Sequence, residues 1–72
     1  MLRDYTIVIE WTGVDDELRT YGDGTEVTVR ARGRAAAIRQ ARLIFANGDG
    51  RDWGLTIIDA MDVFNAREML HD

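Results

Sequence analysis

The hydrophobic pattern of the chain changes period once, at Gly33, and that change sets the class of fold. Before it, Tyr5, Ile7, Ile9 and Trp11 alternate with Thr6, Val8 and Glu10. Val27, Val29 and Ala31 alternate in the same way with Thr28, Arg30 and Arg32. A period of two is the signature of a half-buried strand. After Gly33, the residues Ala37, Ile38, Ala41, Ile44 and Phe45 recur at helical spacing and form one apolar stripe. The expected helix covers Arg34 to Ala46, with Asn47-Gly48 as its stop.

The remaining elements follow from weaker signals. Thr12 to Gly24 is polar, holds the acids Asp15, Asp16 and Glu17, and closes with Tyr21-Gly22-Asp23-Gly24. It is expected to be a loop of about a dozen residues at the tip of an antiparallel hairpin between Tyr5 to Trp11 and Thr25 to Arg32. Asp49 to Asp52 reads as a further loop. Trp53 to Ala60, with Leu55, Ile57 and Ile58, reads as a third strand. Asn65 and Glu68 have capping-box spacing and predict a short C-terminal helix over Ala66 to Leu70.

The order is therefore β-β-α-β with a short terminal helix. A right-handed crossover through the long helix sets the third strand parallel to the second. The first strand then fits between them, which gives a two-layer α+β domain with an antiparallel sheet of order 2-1-3 and a helix on one face. The other face is expected to present Thr6, Val8, Glu10, Thr28, Arg30, Arg32, Thr56 and Ile58, with Val8 and Ile58 at its apolar centre.

Size bears on function. A chain of 72 residues makes one small domain, and such domains are marginal unless something supports them. With no cysteine and the single histidine His71, disulfides and a metal site are not expected, and neither is a cofactor. Docking on another molecule, or a homodimer, is the expected support. No apolar run approaches the ~20 residues of a membrane span. Met1-Leu2-Arg3-Asp4 leads directly into a strand pattern rather than a secretory signal, so the expected location is the cytoplasm.

Enzymatic chemistry has little to work with. Serine and cysteine are absent, and no threonine has a base-and-orienter arrangement beside it. Asp59 and Asp62 could be paired carboxylates, or a metal pair with Glu68, but a solvated edge is the expectation. The stretch Asn47-Gly48-Asp49-Gly50-Arg51-Asp52 fails the spacing of a calcium loop, since its glycine is misplaced and its closing Glu is missing.

Charge is segregated along the chain. Residues 1–26 carry seven acids and two arginines, 27–48 five arginines and no acid, and 49–72 six acids and two arginines: −5, +5 and −4. Two surfaces follow. One is acidic: Asp15, Asp16, Glu17, Asp23 and Glu26 on or beside the hairpin loop, with Asp59, Asp62, Glu68 and Asp72 as a second patch. The other is basic: Arg30, Arg32, Arg39 and Arg42 along strand 2 and the helix. Leu43 lies about 160° from the centre of the apolar stripe and is flanked by arginine, a composition common at contact sites. A net charge of −4 opposes binding to a polyanion at long range.

The stretch Val27-Thr-Val-Arg-Ala-Arg-Gly-Arg-Ala-Ala-Ala-Ile-Arg-Gln-Ala41 resembles the strand-helix corner of short accessory proteins from phages and prophages of GC-rich actinobacteria. It departs from them in having Gly33 where such corners usually have Ser or Thr. The resemblance implies a non-enzymatic protein that binds a larger host or phage complex and blocks or redirects it, such as an inhibitor of a bacterial immune system. It transfers no functional residues. The expected protein-binding residues are Asp15, Asp16, Glu17, Asp23, Glu26, Arg39, Arg42 and Leu43. The alternatives are a nucleic-acid binder using Arg30, Arg32, Arg39 and Arg42, and a homodimer formed through the open sheet face or an edge strand.

Overall fold

The computed structural model describes residues 1–63. The expected terminal helix over 66–70, its cap at Asn65, and Glu68, His71 and Asp72 lie outside the described residues. The elements are β1 (Arg3–Val14), β2 (Thr20–Ala31), α1 (Arg34–Asn47), α2 (Asp49–Asp52) and β3 (Thr56–Asp62). The sheet has the order β2-β1-β3, with β1 antiparallel to both neighbours and α1 packed across one face against all three strands. This is the two-layer α+β architecture expected from the change of period at Gly33. No helix among the described residues is long and apolar enough to cross a membrane.

The hairpin departs from expectation in length. Instead of a loop over Thr12 to Gly24, β1 and β2 pair without interruption from Arg3↔Ala31 to Val14↔Thr20. Only Asp15–Arg19 remains as the turn. There Asp15 Oδ1 accepts hydrogen bonds from the backbone N–H of Glu17 at 2.9 Å and of Arg19 at 2.8 Å. The Asp15 N–H donates to the Arg19 carbonyl at 2.9 Å and closes the ladder. Backbone pairing carries the strands past Trp11, where the apolar alternation stops. Asp49–Asp52, expected as loop, is instead one helical turn, and β3 begins at Thr56 rather than Trp53.

The core lies between α1 and the sheet. Among the described residues it consists of Ile7, Ile9, Val29, Ala31, Ala37, Ala41, Phe45 and Ala60, of which only Ile7 and Ile9 are large and fully enclosed. Ala37, Ala41 and Phe45 are the buried line of the helix. Ile44, expected in that line, is 55% exposed. It sits about 60° to one side of Ala41, and a helix seated through alanines covers only a narrow band.

The opposite face also needs a correction. A bulge in β3 falls between the pairs Glu10↔Asp59 and Trp11↔Ile57, leaving Ile58 as the extra residue. Met61, not Ile58, therefore stands beside Val8, and Ile58 is exposed.

Candidate protein-binding site

The extended ribbon brings together side chains that the chain keeps far apart. In its register Tyr21 stands opposite Gly13, Asp23 opposite Trp11 and Thr25 opposite Ile9, all on the helix side of the sheet. A Cβ on Gly13 would lie 2.8 Å from the Tyr21 ring and from Leu55 Cδ2, so glycine there lets both close over the strand. The Tyr21 ring meets Trp11 edge-on, with centroids 5.9 Å apart. Trp11 in turn stacks on Phe45 at 6.5 Å and 24°. Its Nε1 donates to Thr25 Oγ1 at 3.1 Å, which fixes the indole in place.

The far wall comes from α2. The backbone N–H of Trp53 donates to the Asp49 carbonyl at 2.9 Å, and that of Leu55 to the Gly50 carbonyl at 2.7 Å. This turn can sit on α1 only because residue 50 has no side chain: a Cβ there would lie 2.9 Å from the Phe45 carbonyl and 3.3 Å from its ring. Gly50→Ala is accordingly expected to cost about 1–3 kcal/mol of stability, read from a thermal or urea melt.

The result is a groove of about 290 Å³ lined by Trp11, Tyr21, Phe45 and Trp53, with Leu55, Thr25 and Asp49 completing it. Trp53 is 74% exposed on its wall. Four aromatic residues and one acidic residue thus share one open concavity. Sequence reasoning passes over it, treating Tyr21 as a turn residue and Trp53 as the start of a strand. The available signal is register: carrying the Ile7↔Val27 pairing outward places Tyr21 over Gly13.

The residues singled out from sequence are dispersed. Asp15, Asp16 and Glu17 are in the turn, where Arg19 pairs with Asp15 at 3.2 Å and with Glu17 at 3.0 Å. Asp23 and Glu26 differ in parity along β2 and so belong to opposite faces, Asp23 to the groove side and Glu26 to the open side. The five acids do not form one patch. Arg30 lies on the open face beside Asp4 at 3.8 Å, Arg32 is exposed just beyond β2, and Arg39 and Arg42 are on the outer surface of α1. The arginine stripe is therefore divided between the two faces of the molecule. Arg39, Arg42 and Leu43 do converge around a shallow hollow.

Asp59 and Asp62 do not pair either. Asp59 is exposed on the open face opposite Glu10, whereas Asp62, expected in solvent, is buried on the helix side. There Arg34 Nε donates to Asp62 Oδ2 at 3.1 Å and ties the start of α1 to the end of β3.

Compared with protein-family models, with curated proteins and with solved structures, the chain finds no match in any of the three.

Proposed function

We propose that this chain is a small non-enzymatic binding module, an accessory protein of the phage type, that occupies a surface of a larger host or phage protein complex and so blocks or redirects it. The observation that carries the reading is the aromatic groove. Tryptophan and tyrosine are enriched at protein contacts and dominate their energetics, because each contributes a large rigid area at small entropic cost. An indole as exposed as Trp53 offers such an anchor.

Charge selects the occupant. Asp49 is among the groove's lining residues, Asp23 stands in register beside Trp11, and the molecule as a whole carries −4. Aromatic faces attract cations, arginine above all, with about 0.5–2 kcal/mol each depending on desolvation. The fitting partner feature is an arginine or lysine side chain on a basic segment, steered by the acidic field. Asp15, Asp16 and Glu17 contribute to that field rather than to the contact.

The test uses the tryptophans as their own reporters. Titration with a short arginine-rich peptide should shift their emission, whereas a glutamine analogue of the peptide should not. Trp53→Ala should weaken binding by roughly 30-fold, about 2 kcal/mol, and change stability by no more than about 0.5 kcal/mol. Reversing Asp15, Asp16 and Glu17 together should change mainly the salt dependence. Absence of any shift with the basic peptide, alongside salt-sensitive binding to mixed-sequence nucleic acid, would replace this reading with the arginine-based one.

A further inference from the structure

The two edges of the sheet differ. β3 is seven residues long and interrupted by a bulge, features that blunt an edge. β2 is twelve residues long and regular throughout, and among the described residues no strand pairs with its outer side. It also has neither lysine nor proline, the residues that commonly guard such an edge. Which backbone groups it offers follows from the turn. Asp15 and Arg19 are a hydrogen-bonded pair, and in an antiparallel ladder hydrogen-bonded pairs alternate with non-bonded ones. The odd residues of β2 therefore bond to β1. The even ones, from Thr20 to Arg30, direct N–H and C=O outward; the Gly24 N–H is taken by Asp23 Oδ1 at 2.8 Å, and the stretch from Glu26 to Arg30 is the one that pairs.

We infer that β2 pairs antiparallel with β2 of a second copy of this chain, about a two-fold axis at Thr28. Outward-facing groups must meet outward-facing groups, so even residues pair with even residues. Centring on Glu26 would oppose two carboxylates, and centring on Val27 would set Glu26 against Thr28. Centring on Thr28 sets each Glu26 opposite the Arg30 of the other copy, twice over. On the helix side it sets Val27 opposite Val29, closing apolar surface at the seam. Opposite charges across a strand pair are favourable and like charges unfavourable.

The helices leave room for this arrangement. The two β1 strands would be three strand spacings apart, about 14 Å. That exceeds the ~10–12 Å diameter of a helix, so two helices seated over the two sheets do not collide. The product is a six-stranded sheet, β3-β1-β2-β2-β1-β3, which gives a small domain the support its thin core lacks. The hairpin tips extend beyond the seam, and both aromatic grooves stay open.

Sedimentation equilibrium decides the matter. The wild-type chain should sediment at twice its 8.2 kDa mass. Glu26→Arg and Arg30→Glu should each lose the dimer, since each opposes like charges twice. An equimolar mixture of the two variants should recover it. In the mixed pair the arginine introduced in one chain faces the glutamate introduced in the other, and the native Arg30 of the first meets the native Glu26 of the second. Recovery on mixing also demonstrates that both variants are folded. A wild-type chain that stays monomeric into the high micromolar range overturns the inference. So do single variants that dimerise like wild type, or a mixture that remains monomeric.

Discussion

Ile9→Ala is expected to remove about a third to a half of the domain's stability. Ile9 is, among the described residues, one of two large side chains with no exposure at all, and it lies on the central strand beneath α1. Truncating such a residue costs about 2–5 kcal/mol, part lost transfer energy and part cavity. A domain of this length has only about 4–11 kcal/mol to lose, at roughly 0.05–0.15 per residue. Much of the remaining core is alanine, which cannot move in to fill the space. Urea denaturation followed by far-UV circular dichroism measures the loss. Ile9→Val should cost only about 0.5–1.5 kcal/mol, and equal effects from the two variants would contradict a tightly packed site.

Phe45→Ala should be as damaging, by about 3–5 kcal/mol, with a different signature. The ring is buried, stacks on Trp11 and supports the α2 turn at Gly50. Its removal takes the floor from the groove and the seat from α2. The near-ultraviolet dichroism of Trp11 should therefore collapse even where helix and strand content survives at low temperature. Binding of a basic peptide should disappear with it. A variant that kept the near-ultraviolet spectrum would mean that the Thr25 hydrogen bond and the Tyr21 ring hold Trp11 without Phe45.

These two residues are legible in the sequence for a shared reason. Ile9 and Phe45 lie within clean periodic runs, and a period reports which side of an element faces the interior. The same logic yields the helix, and the right-handed crossover through it yields the sheet order. Periodicity fails where structure is made by backbone pairing. Thr12 to Gly24 has no apolar alternation, so nothing marks it as strand, yet the ladder continues through it to Val14↔Thr20. The groove is hidden for the same reason, because Tyr21 reaches Trp11 only once that ladder is extended. Ile44 fails differently. Spacing places it on the stripe, but how wide a stripe is covered depends on how closely the helix sits, which the alanines decide. The bulge at Ile58 leaves no trace in composition and moves Met61 to the place beside Val8.

The position of β1 has a consequence for how the protein is made. The strand to which both others are hydrogen-bonded precedes them in the chain. On the ribosome it emerges ahead of either neighbour, so the template is in place before the strands that read it. β2 follows after a turn of five residues and can zip onto β1 at once. β3 arrives only after α1, and its Asp62 is the residue that Arg34 at the start of that helix binds. The ion pair at the helix's leading end therefore waits on the sheet's last strand, although Ala37 can already pack on the first two.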